Sequence, residues 1–105
     1  MRSLVLFILF AFILKLTAVA DYWTQKADFA GAERADATGF GIGTKGYIGT
    51  GFANLGYSTD WWEYDQATNT WSSKANYAGS GIVEAAAFTI GNKGYILPAP
   101  TGNDL

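Results

Sequence analysis

Residues 35–51 read ADATGFGIGTKGYIGTG, and 48 positions further on residues 83–99 read VEAAAFTIGNKGYILPA. Extending this pairing back, so that residues 22–51 lie over residues 70–99 without a gap, matches Trp23 with Trp71, Lys26 with Lys74 and Ala27 with Ala75. Ala30-Gly31 meets Ala78-Gly79, Ala37 meets Ala85, Phe40 meets Phe88, Ile42-Gly43 meets Ile90-Gly91, and Lys45-Gly46-Tyr47-Ile48 recurs as Lys93-Gly94-Tyr95-Ile96. Self-similarity at a fixed spacing in this range is the mark of a repeat architecture, in which each unit buries its apolar faces against its neighbours.

The repeat carries strand signals. Aromatic and β-branched residues gather in short runs divided by Gly, Asn and Asp, and no apolar stripe recurs at helical spacing. Four strands per repeat are expected, over 35–42, 45–52, 61–65 and 70–75, with residues 22–27 repeating the fourth and residues 83–90 and 93–97 repeating the first and second. In Gly43-Thr44-Lys45-Gly46 and its copy Gly91-Asn92-Lys93-Gly94, a tight hairpin is expected to need positive φ at Gly46 and Gly94. In Tyr64-Asp65-Gln66-Ala67-Thr68-Asn69-Thr70-Trp71, Asp65 and Asn69 suit a longer hairpin because their side chains bond the local backbone. The first strands are built of small residues, whereas Trp61-Trp62-Glu63-Tyr64-Asp65 and Thr70-Trp71 are bulky. Such a taper fits sheets stacked around an axis, crowded at the inner strand and splayed at the outer one.

These residues resemble the kelch repeats, whose four-stranded blades build a β-propeller. Gly46-Tyr47 and Gly94-Tyr95 look like the family's glycine-then-aromatic on the second strand. Tyr64-Asp65 through Trp71 looks like its Tyr-Asp, turn, Trp signature, which Trp23 repeats, and Arg34 stands where kelch repeats often carry arginine. The sequence departs from the pattern in two places: the usual double glycine reads Gly49-Thr50-Gly51 in one copy and Leu97-Pro98-Ala99 in the other, and Ile82 replaces Arg34. The resemblance implies an all-β kelch-type propeller over residues 21–105, with one complete antiparallel four-stranded blade and two partial ones. Thr59-Asp60-Trp61 aligns with Asn103-Asp104-Leu105, so the chain is expected to break off in mid-repeat. Expressed alone, residues 21–105 are expected to fold poorly or to associate, through the unpaired edge of strand 93–97.

Residues 1–20 read differently. Arg2, the unbroken apolar run Leu4 to Leu14 and Ala18-Val19-Ala20 describe a secretory signal peptide with cleavage before Asp21; an uncleaved anchor is the competing reading. Lys15 interrupts the run well short of the roughly 20 apolar residues a spanning helix needs. The protein is therefore expected to be exported: secreted, at the cell surface or periplasmic, in a bacterial setting. Beyond residue 20, Lys26, Arg34, Lys45, Lys74 and Lys93 face nine acids, a net charge of −4 with no basic cluster. That lacks the electrostatic footprint of a nucleic-acid or anionic-membrane partner.

Cysteine and histidine are both absent, which removes disulfides, thiol nucleophiles, Ser-His pairs and imidazole ligands together. The reading is a non-catalytic binding or scaffolding module for a protein or carbohydrate ligand, requiring no cofactor and supported by neighbouring blades. The alternative is part of a propeller enzyme, a galactose-oxidase-like carbohydrate oxidase or a sugar isomerase, whose catalytic site lies in other blades. Glu33, Asp36 and Glu84 are the acids near blade junctions, read as solvated loop charges. The acids of residues 60–65 lack the ligand pattern of a calcium loop. Trp61 and Trp62 are weak ligand candidates, since an exposed indole can stack on a sugar; as strand neighbours they point to opposite faces.

Overall fold

The computed structural model describes residues 21–99, so the signal-peptide reading of residues 1–20 and the alignment of residues 103–105 lie outside the described residues. Within them the protein is all-β, with antiparallel sheets and no helix. Eight strands run in chain order: β1 (Thr38–Ile42), β2 (Lys45–Gly49), β3 (Phe52–Ala53), β4 (Gly56–Tyr57), β5 (Trp61–Asp65), β6 (Thr70–Lys74), β7 (Ala86–Ile90) and β8 (Lys93–Leu97). The strands β1-β2-β5-β6 form one four-stranded sheet, β7-β8 a second hairpin that packs against β1, and β3-β4 a small hairpin inserted between β2 and β5.

Register follows from the pattern. Phe40 pairs with Tyr47 and Glu63 with Ser72, and Tyr47 in turn pairs with Glu63, so Phe40, Tyr47 and Glu63 share one face with Trp61. The opposite face carries Gly39, Gly41, Gly46 and Ile48 from the inner strands and Trp62, Tyr64 and Trp71 from the outer ones. The taper of residue sizes therefore runs across the sheet, from glycine at β1 to tryptophan at β5 and β6. Phe29 closes the broad end, edge-on to Trp62 and Trp71 with centroids 5.8 and 5.0 Å away.

The hairpin β7-β8 repeats the register of β1-β2 residue for residue, with Phe88 opposite Tyr95 where β1-β2 sets Phe40 opposite Tyr47. Phe40 stacks on Tyr47 at 5.1 Å and Phe88 on Tyr95 at 5.1 Å. Two backbone hydrogen bonds tie the units together at their loops, Glu84 N–H to the Asp36 carbonyl at 3.0 Å and Gly51 N–H to the Ile82 carbonyl at 2.8 Å.

Several expected boundaries move, each for a backbone reason. The first strand of each unit starts about three residues later than expected, because Asp36 (φ 54°) and its counterpart Glu84 (φ 53°) are left-handed and interrupt any extended ladder. The second ends at Gly49 because Thr50 (φ 56°) and Gly51 (φ 90°) turn the chain, which sends Phe52 into the small hairpin instead. The fourth strand ends at Lys74, one residue short. Residues 22–27, expected as a strand, form none: with no ladder partner beside them they are held only where Trp71 Nε1 donates to the Ala27 carbonyl (3.1 Å) and Ala27 N–H donates to Asn69 Oδ1 (2.9 Å).

The hairpin glycines also exchange roles. Positive φ falls at Gly43 (57°) and Gly91 (58°), the first residues of two-residue loops that close Ile42 onto Lys45 and Ile90 onto Lys93, the φ pattern of type II′ turns. Gly46 and Gly94 instead lie in strands. A Cβ on Gly94 would run into the Phe40 ring, so that glycine serves the packing of one unit on the next. The longer hairpin behaves as its residues lead one to expect, with Ala67 N–H donating to Asp65 Oδ1 at 2.9 Å and Asn69 at φ 52°.

Candidate functional site

Where β2 ends, the sequence Gly49-Thr50-Gly51 bends the chain sharply. Trp61 lies so close over Gly49 that no Cβ fits, and at Gly51 a Cβ would approach the Ala35 carbonyl to 2.5 Å. Between them Thr50, fully buried, holds a left-handed conformation that β-branched residues rarely adopt. Such strain persists only where surrounding bonds over-determine it. Here they do: Thr50 N–H donates to the Asp60 carbonyl at 3.0 Å, its Oγ1 to the Gly49 carbonyl at 2.7 Å, and its own carbonyl accepts from Arg34 Nη1 at 3.1 Å.

Arg34 is the centre of this arrangement. Its side chain is 4% exposed, forks onto Asp60 at 2.7 and 2.8 Å, donates from Nε to the Ala32 carbonyl at 3.2 Å, and lies over the Phe29 ring at 5.0 Å. Asp60 accepts further bonds from Ser58 Oγ (2.9 Å) and Trp62 Nε1 (2.8 Å). The Arg34 guanidinium, aided by those two donors and opposed by partial burial, holds the Asp60 carboxyl far below the usual carboxylate range. The arginine thus fastens the incoming chain to the bend between β2 and β5.

The small hairpin β3-β4 grows from this bend. Asn54 (φ 51°) and Leu55 (φ 63°) both take positive φ, the mark of a type I′ turn, for which asparagine is well suited and leucine is not. Leu55 is 94% exposed at the tip, and Phe52 and Tyr57, edge-on at 5.9 Å, are exposed behind it. Between this hairpin and residues 32–35 lies an open groove of about 670 Å³ lined by Glu33, Arg34, Phe52, Asn54 and Leu55 among others. Positive φ and exposed apolar surface thus coincide at the tip of this hairpin, beside the groove. The sequence reading does not contain this hairpin; Asn54, a residue that tolerates positive φ, is its one local signal.

A second polar cluster lies on the Phe40 face of the sheet. Buried Glu63 accepts from Tyr47 Oη at 2.8 Å and pairs with Lys45 at 3.2 Å and Lys74 at 3.5 Å. The tyrosine's hydrogen bond, then the lysines, lower the Glu63 pKa against the effect of desolvation; in return Glu63 raises Tyr47 and Lys45. With both oxygens engaged by Tyr47, Lys45 and Lys74, Glu63 ties β2, β5 and β6 together on this face.

The residues singled out from the sequence fall as follows. Tyr47, Tyr64 and Trp71 pack within the sheet, Tyr64 against Trp71 at 5.1 Å, and Tyr64 Oη donates to Asn69 Oδ1 at 2.8 Å. Trp23 is fully exposed in the segment before Phe29. Trp61 and Trp62 do point to opposite faces: Trp61 is 6% exposed against Phe40, with its Nε1 unpartnered, while Trp62 is engaged by Phe29 and Asp60. Glu33 lines the groove, whereas Asp36 and Glu84 occupy equivalent turn positions in successive units. Among the described residues no three His, Cys, Asp or Glu side chains gather as a metal site. Within the described residues the chain is thus all-β and antiparallel, with Arg34 and Asp60 at the bend after β2 and a small exposed hairpin beside them. Comparison with protein families, curated proteins and solved structures finds no match.

Proposed function

We propose that this chain belongs to an exported kelch-type β-propeller, delivered by a signal peptide over residues 1–20, and acts as a non-catalytic binding or scaffolding module for a protein or glycan. One observation carries the reading. The antiparallel meander β1-β2-β5-β6 is followed, at 48-residue spacing, by a hairpin of identical register laid face to face on its innermost strand. Stacked meanders with small inner and large outer strands are what a propeller is built from. The fastening of Arg34 to Asp60 fits the place of the kelch arginine, and Gly49-Thr50-Gly51 acts as the close-approach corner its double glycine would supply.

Recognition is assigned to the groove beside β3-β4, because strain and exposed apolar surface coincide there. The test is to capture glycans and surface proteins from immobilised arrays with the intact chain and with Leu55→Asp. Binding that falls at least tenfold in the variant supports the assignment. Binding unchanged in Leu55→Asp but abolished by change elsewhere would move the site, and retention of residues 1–20 on the exported protein would overturn the cleaved-signal reading.

A further inference from the structure

The two repeats enter their sheets through equivalent segments, residues 29–36 and 77–84, that are fastened in different ways. The first is pinned from within its own repeat, by the Arg34 fork on Asp60. The second has Ile82 at the place of Arg34 and is held by the repeat before it. Tyr77 N–H donates to the Thr59 carbonyl at 2.7 Å, Gly51 N–H to the Ile82 carbonyl at 2.8 Å, and Glu84 N–H to the Asp36 carbonyl at 3.0 Å.

Between these bonds the second segment runs against the hairpin β3-β4. Gly51, which donates to Ile82, also accepts from Ser58 N–H at 2.8 Å and so closes the base of that hairpin. Next to Ile82, a Cβ on Gly81 would lie 2.5 Å from the carbonyl carbon and oxygen of Tyr57 and 2.6 Å from its Cβ. Tyr57 is paired to Phe52 across the hairpin, so these backbone atoms cannot swing aside as the end of a side chain can. Backbone conformation is not the reason for the glycine: positive φ among the described glycines falls at Gly43, Gly51 and Gly91, and Gly81 is not one of them. What glycine supplies at position 81 is room. At the equivalent position the first repeat carries Glu33, which has the Cβ that this contact excludes.

We propose that the hairpin β3-β4 is a latch that seats the following repeat, that Gly81 is the residue that admits it, and that the residue at this position decides which repeat can follow such a hairpin. A repeat that enters with Gly81-Ile82 is taken against the hairpin and bonded to its base. One that enters with Glu33-Arg34 is excluded from that seat and holds its entry by the arginine instead. The order of the two repeats is thus encoded by two residues at each entry. This inference rests on the repeat within the function proposed above and not on the ligand assigned to the groove.

Amide hydrogen exchange in the full 105-residue chain tests it, read separately for β7-β8 and for β5-β6. Gly81→Ala introduces only the excluded Cβ, and Gly81→Glu carries the residue of position 33 into the second entry. Each should lower the protection of the β7-β8 amides about tenfold or more relative to that of β5-β6. Gly56→Ala, on the hairpin itself where a Cβ meets nothing within 4 Å, should leave both unchanged. Unchanged protection of β7-β8 in Gly81→Ala would overturn the proposal, as would an equal loss in both sheets or a matching loss in Gly56→Ala. A parent chain whose β7-β8 amides exchange as freely as an unfolded peptide would overturn it as well, because the second repeat is then not seated at all.

Discussion

Replacing Asp60 with asparagine isolates the contribution of the ion pair at the bend. The substitution keeps the side chain's shape, but its amide nitrogen cannot accept and replaces either Oδ1, which takes Arg34 Nη1 and Ser58 Oγ, or Oδ2, which takes Arg34 Nη2 and Trp62 Nε1. A charge-assisted hydrogen bond contributes about 1.5–3 kcal/mol, and removing one member of a fully buried pair costs about 3–5 kcal/mol. Arg34 is nearly fully buried but the Asp60 side chain is 31% exposed, so water screens part of that cost. Asp60→Asn should therefore destabilise the chain by about 2–3 kcal/mol at neutral pH. In urea, followed by tryptophan fluorescence, that is a midpoint lowered by about 2–3 M for a slope near 1 kcal/mol/M. The acid limb gives a second reading. The folded Asp60 pKa lies below its unfolded value of about 3.9, so its contribution is complete above that pH and is lost as pH falls through the folded value. The parent should lose stability below about pH 4 more steeply than Asp60→Asn. A midpoint shift worth less than about 0.5 kcal/mol, or parallel acid limbs, would refute the argument that this pair holds Thr50 in its strained conformation.

Three further outcomes are expected. Gly94→Ala should cost about 1–2 kcal/mol through displacement of Phe40, while Gly46→Ala at the equivalent position should be nearly neutral; equal costs in paired urea melts would contradict the assigned packing. Leu55→Gly should raise stability by about 1 kcal/mol, because glycine accepts the left-handed turn that leucine resists, and an unchanged midpoint would remove strain as a feature of this tip. In Glu63→Gln, Tyr47 should titrate at lower pH than in the parent, since loss of the carboxylate removes the main cause of its raised pKa; NMR of ring-labelled tyrosine follows this directly.

Much of the fold could be read from residue order. The recurrence of Lys45-Gly46-Tyr47-Ile48 at residues 93–96 determined that two units share one register, and the run from Trp61 to Asp65 emerged as a strand with the boundaries its composition implies. Alternation placed Trp61 and Trp62 on opposite faces, and Asp65 and Asn69 could be assigned to their turn from side-chain chemistry alone. These features depend on contacts within a few residues or on exact repetition, so the sequence contains them whole.

The candidate site is different, because each of its parts depends on residues distant in the chain. Arg34 acquires its role only where Asp60 and the Thr50 carbonyl converge on it, across separations of 26 and 16 residues. Thr50 adopts positive φ against its own preference because that convergence compels it, and no local rule assigns such a conformation to threonine. The roles of the two paired glycines were likewise settled by packing, since Gly94 must admit Phe40 while Gly46 faces open space. Sequence by itself determined the repeat, the strand class and the long turn from Asp65 to Asn69; the tertiary structure decided which glycines turn the tight hairpins, where strain is held and which acid meets which base. Periodicity is a local property of the chain, whereas a buried charge pair or a ring seated on a glycine exists only once remote segments have come together.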